Sequence, residues 1–442
     1  FNRSHRLSTP RYSELIFIVN DLNPQQREAV RYIDGPLLVL AGAGSGKTRV
    51  ITRKIAYLIE QCGIKASNIA AVTFTNKAAR EMKERVADLM STRDASARGL
   101  MVSTFHTLGL NILRRDGKSL GYRPGFSIFD AQDSLAVFRD LMGRDFAADS
   151  DHAQEVQNQI SNWKNQLILP EQAAQIADGA QQEFAAKVYP RYVQALQAYN
   201  AVDFDDLILK PVILFREHRD VLQKWQAKIH YLLVDEYQDT NGCQYELVKQ
   251  LVGIREKLTV VGDDDQSVYS WRGARPENLV QLQTDFPRLK LIKLEQNYRS
   301  MGRILRVANK LISHNPHVFE KKLWSAMGEG DAIRVIGCRD DEHESEKVVS
   351  ELLYHKLKHQ ASFKDYAILY RSNHQSRSLE KVLREHNVPY FLTGGTSFFS
   401  RVEVKDIMAY LRLLANQDDD NAFLRVINTP RRGIGSSTLQ AL

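Results

Sequence analysis

Apolar residues in this chain fall into short unbroken runs, each ending at a polar or glycine-rich stretch. Residues 37–40, 69–74, 101–104, 231–234, 258–261 and 289–294 are such runs. Continuous apolar runs of this length, bounded by turn signals, read as strands buried on both faces, which is the habit of a parallel sheet. Residues 49–61 instead carry apolar positions at helical spacing. From about residue 108 to 215 charged and apolar residues alternate at helical spacing, which predicts a helical insertion between strands of one sheet. The run at 289–294 is read as the opening of a second α/β unit, continued by strands at 332–336 and 366–370. Residues 394–401 are read as the entrance to another helical region. The expected class is α/β.

The polar ends of these runs carry the candidate chemistry. The first passes into Ala41-Gly42-Ala43-Gly44-Ser45-Gly46-Lys47-Thr48. The glycines let successive N–H groups converge on one anion, and a helix N-terminus suits a polyphosphate. Lys47 is placed to reach the β- and γ-phosphates, and Thr48 to put its hydroxyl on Mg²⁺. This is P-loop spacing, with Ala41 where the pattern has its first Gly. The run at 231–234 ends in Asp235-Glu236, where P-loop hydrolysis needs one carboxylate for the Mg²⁺ shell and one to orient and deprotonate water. Gln266 is placed to sense a γ-phosphate without carrying charge. Tyr269, Trp271 and Arg272 follow within a few residues. A base stacked on such a platform gains about 1–3 kcal/mol. Arg299 can supply charge to a γ-phosphate, and Tyr298 could lie on an adenine.

Other positions are open to more than one reading. Phe74, Thr75 and Asn76 end one run, and Phe105 and His106 another. Each aromatic taken alone reads better as core than as a base contact. Asn23 and Pro24 suit a helix cap and first turn, whereas Gln26 is either a solvated helix residue or a partner for an adenine edge. Asp203, Asp205 and Asp206 read as acids favoured at a helix start rather than as metal ligands. Trp163 is core or surface, and residues 371–377 could touch backbone phosphates.

Composition narrows the partners. A chain of 442 residues is too long for one core and suggests two to four domains. A net charge of +7 is compatible with nucleic acid. Cys62, Cys243 and Cys338 have no metal-ligand spacing and read as buried thiols in a reducing cytosol, so a cytoplasmic location is expected. No apolar run reaches membrane-spanning length. Residues 1–20 are basic with a short apolar patch, too short for a secretory signal, and are read as an extension outside a fold that starts near Asp21.

Taken together the segments AGAGSGKT, AVTFTNKAAREMKERV, STFHTLGL, DFDDLI, LLVDEYQDTN, VGDDDQSVYSWRGA, LEQNYRS and GGTSFFSR closely resemble the UvrD/PcrA/Rep group of superfamily-1 DNA helicases. The resemblance runs from about Leu22 to the end of the chain. It implies two RecA-like motor domains with ATP between them, a helical insertion in each, and 3′→5′ movement on single-stranded or forked DNA, with replisome or repair proteins as partners. It implies domains at 21–107 and 216–294 (first motor), 108–215 (insertion), 295–392 (an incomplete second motor) and 393–442 (start of a second insertion). Carried over by position, Gln26 and Tyr298 hold adenine, Ala41 through Arg49 the phosphates, and Thr48 and Asp235 the Mg²⁺. Lys47, Glu236, Gln266 and Arg299 serve hydrolysis. Phe74, Thr75, Asn76, Phe105, His106, Tyr269, Trp271 and Arg272 meet DNA. The family's late DNA-contacting motif and late arginine motif are not found before Leu442, so a fragment is expected. A non-catalytic DNA-binding module and a subunit of a recombination nuclease are the competing readings.

Overall fold

The computed structural model describes residues 19–90, 98–142, 150–269, 273–317, 319–393, 401–417, 419–427, 429–434 and 438. They divide into two compact units, residues 1–331 and 332–442.

The first unit is built on six parallel strands. In chain order it contains α1 (Pro24–Arg31), β1 (Leu37–Ala41), α2 (Lys47–Glu60), β2 (Ile69–Thr73), α3 (Asn76–Leu89), β3 (Met101–Thr104) and α4 (Phe105–Asp116). The insertion follows with β4 (Ser127–Phe129), α5 (Ala131–Met142), α6 (Ser150–Asn165), α7 (Pro170–Ile176), α8 (Ala180–Ala198) and β5 (Ala201–Asp203). The chain then returns through α9 (Asp206–Glu217), α10 (Arg219–Lys228), β6 (Tyr231–Val234), α11 (Gly242–Val252), β7 (Leu258–Gly262), α12 (Asn278–Asp285), β8 (Lys290–Leu294) and α13 (Gly302–Ile312).

The strand order is β3-β2-β6-β7-β1-β8, every pair parallel. The four inner strands are buried along their whole length, as their unbroken apolar runs require. Alternation then sends Leu38 and Leu40 into one core layer, shared with α4, α9, α10 and α11, and Leu37, Val39 and Ala41 into the other, under α1, α2 and α3. Where α4 crosses α9 the fit leaves no room. A Cβ on Gly109 would lie 1.7 Å from the Leu207 carbonyl oxygen.

One buried cation joins α2 to α1. Lys54 is fully buried, and its ammonium donates to the carbonyls of Ala29, at 2.8 Å, and Tyr32 at the end of α1. It has carbonyl dipoles for partners rather than a carboxylate, and burial pulls its pKa down from 10.5 to about 7.

The insertion has its own core, in which Phe138 stacks on Tyr192 and Trp163 on Tyr189. Trp163 is therefore a core residue. Its neighbour Lys164 is buried against Asp203 at 2.7 Å and Asp206 at 3.0 Å, with Tyr192 donating to Asp203 at 2.9 Å. The acidic cluster neutralises an internal lysine, and Asp206 opens α9 as the sequence suggested. The separate core begins at Phe129 and ends at Ala201. α4 and most of α9 contribute to the sheet's core instead.

Three expectations are corrected. The run at 289–294 does not open a second unit. It is the edge strand β8, paired with β1 from Leu37↔Lys290 to Ala41↔Leu294. An apolar run fixes that a strand exists but not which neighbour it takes. No strand forms at 332–336 or 366–370 among the described residues, and Val335 and Leu369 are 93% and 92% exposed. Strand pairing needs a ladder partner for each backbone, and these segments have none there. Finally, Val19 falls inside the stretch expected to lie outside the fold, yet it is buried in the α1–α3 layer. The rest of that stretch, residues 1–18, lies outside the described residues.

In the second unit α14 (Asp341–His359) and α15 (Ser376–Glu385) pack through Val349, Val382 and Leu383. α16 (Val402–Ala415) and α17 (Asp420–Val426) pack through Ala409, Ala422 and Val426. The helix expected after residues 394–401 is thus present as α16, while 394–400 lie outside the described residues. Among the described residues no helix is long and apolar enough to cross a membrane.

Candidate active site

Parallel strands put all their carboxyl ends on one edge, and the loops leaving that edge converge. β1 leads there into the glycine-rich loop, β6 into Asp235-Glu236, β7 into residues 263–266 and β8 into residues 295–300.

In the first loop Gly44 and Gly46 have φ of +73° and +91°, the left-handed region that glycine enters without penalty. Gly46 also precedes α2, so no side chain caps that helix. Its first N–H groups are left facing the loop, which is the donor arrangement an anion needs. Ser45 closes the turn, its hydroxyl donating to the Gly42 carbonyl at 2.7 Å.

Lys47, the first residue of α2, reaches across the sheet edge. Its ammonium donates to Glu236 Oε2 at 2.7 Å and to Gln266 Oε1 at 3.2 Å. Three residues that follow three different strands thus meet at one point. Glu236 holds left-handed backbone, φ +49°, a strained state for a residue with a side chain. Asp235 is buried, its Oδ1 accepting from the Glu236 N–H at 3.0 Å. Burial, helped by the Glu236 charge and opposed by Lys47, pushes its carboxyl up to about 7. Asp239 is raised to about 6, by burial and then by Glu236. Carboxyls crowded and desolvated in this way fit a divalent cation, whose charge would return them to the ionised form.

The segment after β8 closes over the loop. The buried Asn297 donates from Nδ2 to the Ala43 carbonyl at 2.5 Å, and its Oδ1 accepts from the N–H groups of Arg299 and Ser300. Tyr298 N–H donates to the Gly44 carbonyl at 2.9 Å. A Cβ on Gly44 would lie 2.5 Å from Asn297 Nδ2 and 2.8 Å from Arg299 Cβ, so glycine is required there for close approach as well as for φ. The Tyr298 ring stays 44% exposed while its hydroxyl accepts from Asn23 Nδ2 at 2.9 Å. Gln26 is buried and donates to the Ser45 carbonyl at 2.8 Å. Gln26, the loop and Tyr298 therefore share one neighbourhood, and Gln26 is no solvated helix residue. Arg49, expected with the phosphates, is ion-paired to Asp21.

Beyond β7, Asp263, Asp264 and Asp265 converge closely enough to resemble a metal site. Lys321 fills the space between them, 2.8 Å from both Asp263 and Asp265 and in contact with Asp264. Asp263 also accepts from Gln266 Nε2.

The residues expected to meet DNA separate into distinct groups. Phe105 is buried in the core, so its assignment as a DNA contact is corrected. It sits at the inward-facing start of α4, edge-on to Phe74, with ring centroids 5.7 Å apart. Phe74 is half-buried and packed against the core; Thr75 caps α3, and Thr75 and Asn76 are exposed. His106 is held toward its neutral form by burial and lies edge-on to Phe204, which is 51% exposed. Tyr269 is 38% exposed, while Trp271 and Arg272 lie outside the described residues. A cavity of about 510 Å³ in the insertion, bounded by Phe138, Tyr192, Phe204 and Asp205, shares no residue with the glycine-rich loop.

Sequence reasoning passed over Asn297, Gln238, Lys321 and Phe204. The first three are polar groups that each bond a partner distant in sequence, although Gln238 also donates to Glu236 two residues away, and only Phe204, an aromatic between acids, carried a local signal.

Comparison with known families agrees with this geometry. The UvrD/REP helicase N-terminal domain matches residues 22–287, and the UvrD-like helicase C-terminal domain matches residues 292–442. The ATP-dependent DNA helicases Rep of Escherichia coli K12 and of Salmonella typhimurium LT2 are each 58% identical over 421 residues. Those alignments cover 95% of this chain and 62% of each relative. The ATP-dependent DNA helicase PcrA of Leuconostoc citreum is 43% identical over 427 residues, covering 96% of this chain and 57% of the relative. The chain thus spans about 62% of the length of its Rep relatives. With a glycine-rich loop, an Asp-Glu pair and a glutamine gathered on one parallel sheet edge, and both family domains matched, the chain belongs to the UvrD/Rep helicase family.

Proposed function

We propose that this chain carries the ATP-hydrolysing motor of a DNA helicase that moves 3′→5′ along one strand and opens forked DNA. The observation that carries the proposal is the meeting of Glu236 and Gln266 at the ammonium of Lys47, beside the glycine-rich loop. Lys47 shifts from Glu236 to the β- and γ-phosphates when ATP enters, which frees Glu236 to orient and deprotonate water. Thr48 and Asp235 are the residues that would hold Mg²⁺, which would neutralise phosphate charge when bound. Gln26 and Tyr298 flank the adenine, and Arg299 adds charge at the γ-phosphate. Gln266 reports the γ-phosphate to the neighbouring Tyr269, Trp271 and Arg272, which grip bases together with Phe74, Thr75, Asn76 and His106. In the same proposal the six-stranded sheet is the first motor and the helical cluster its insertion. Residues 295–392 belong to a second motor, and residues 393–442 to the start of its own insertion. The setting is the cytoplasm, at DNA under replication or repair.

ATP hydrolysis by the chain completed to the length of its Rep relatives, with and without a single-stranded oligonucleotide, tests this. Stimulation by DNA is expected, with Lys47→Ala and Glu236→Ala each lowering kcat about 100-fold or more. Trp271→Ala should keep basal hydrolysis and lose most of the stimulation. Full hydrolysis in Glu236→Ala, or a wild type indifferent to DNA, would overturn it.

A further inference from the structure

Glu236 has two hydrogen-bond donors on the same oxygen among the described residues. Lys47 Nζ lies 2.7 Å from Oε2, and Gln238 Nε2 lies 2.9 Å from it. If Lys47 turns to a phosphate, the glutamine is the donor that stays.

Gln238 is built to stay. It is only 1% exposed, and its Oε1 accepts from the Asp263 N–H at 3.0 Å. That bond fixes which way the amide points, because an oxygen toward the Asp263 N–H leaves the NH₂ toward Glu236. The other wall is Gly262, the last residue of β7. A Cβ there would lie 2.9 Å from Gln238 Oε1 and 3.3 Å from its backbone nitrogen. The side chain therefore spans from the loop after β6 to Asp263, just past the end of β7 and three residues before Gln266. The Glu236 backbone is itself strained, so an outside constraint on its carboxylate matters more than it would in a relaxed strand end.

We infer that Gln238 is a positioning residue for hydrolysis. It aims the Glu236 carboxylate at the attacking water, and through the Asp263 N–H it ties that aim to the segment bearing Gln266. This rests on the reading of the site as an ATP hydrolase.

The test compares Gln238→Leu, which removes both bonds, and Gln238→Glu, which keeps the shape but sets a carboxylate against Glu236. Gly262→Ala presses on the amide from the β7 side and leaves both residues in place. DNA-stimulated hydrolysis is measured for each, with binding of ADP–aluminium fluoride and of a non-hydrolysable ATP analogue. The expected result is a fall in kcat of about 10- to 100-fold for the Leu variant, the range a hydrogen bond to a charged group supplies. The fall is larger for Glu and smaller for Gly262→Ala. KM for ATP stays within about threefold, because the interaction acts on the transition state. Aluminium fluoride affinity falls with kcat, and analogue affinity does not.

Parallel losses in kcat, KM and analogue binding would mark a merely structural role and overturn the inference. So would Gln238→Leu and Gln238→Glu within twofold of wild type while Glu236→Gln is inactive; the hydrolase reading would then survive. A wild type that hydrolyses no ATP, or an active Glu236→Gln, would overturn that reading and the inference with it.

Discussion

Replacing Lys54 with Met should change how stability depends on pH. Lys54 is enclosed between α1 and α2, and its pKa falls from 10.5 to about 7 because burial penalises the ammonium. The gap is about 3.5 pH units, each worth about 1.36 kcal/mol. The ceiling is therefore about 5 kcal/mol, and about 3–5 kcal/mol is expected. The folded-state pKa is depressed, so between pH 7 and 10.5 the unfolded chain holds a proton that the folded chain has released. Unfolding takes up that proton, and stability rises with pH across this window by up to about 1.4 kcal/mol per unit. Below pH 7 both states are charged and the contribution is flat. Urea unfolding of wild type and Lys54→Met at pH 6.5, 7.5, 8.5 and 9.5 isolates the effect, since other groups titrate in both proteins. The wild type should gain about 1 kcal/mol per pH unit on the variant above pH 7.5. Parallel curves would refute the reasoning. The Met variant also leaves the carbonyls of Ala29 and Tyr32 without their donor, so exchange of amides near the end of α1, the helix that bears Gln26, should quicken.

Four further outcomes follow from packing and charge. Phe105→Ala should cost about 3–5 kcal/mol in urea unfolding, as a cavity in a closed core does. Phe74→Ala should cost less and instead weaken oligonucleotide binding by about 1–3 kcal/mol in fluorescence anisotropy. Gly109→Ala should destabilise by about 1–3 kcal/mol despite the better helix propensity of Ala, because its Cβ meets the Leu207 carbonyl; an unchanged melting temperature would contradict the α4–α9 contact. Lys321→Met should leave Asp263, Asp264 and Asp265 in mutual repulsion. Amide exchange at Phe319, whose N–H donates to Asp264, should then accelerate at least tenfold.

The inner sheet was legible because burial on both faces leaves an unbroken apolar run, and β1, β2, β6 and β7 each have one. The phosphate loop and the Asp-Glu pair were legible because each is contiguous in sequence. What brings them together was not. Lys47 and Glu236 are 189 positions apart, and nothing local in either says that they touch. Phe74 and Phe105 follow similar strands and look alike as text, yet only one is fully enclosed. β8 looked like a new beginning because sheet membership is decided by a register with β1, a property of two segments together. Residues 332–336 and 366–370 show the converse, since apolar sequence without a ladder partner does not make a strand.

One strand polarity for the whole sheet also decides where the protein can be instrumented. Ile254, in the turn before β7, is 98% exposed on the amino edge. Five residues of strand, roughly 16 Å, separate it from the chemistry on the far side. A cysteine placed there, with the exposed Cys338 and the half-buried Cys62 replaced, would carry a dye or a surface tether and leave the face of the candidate site open.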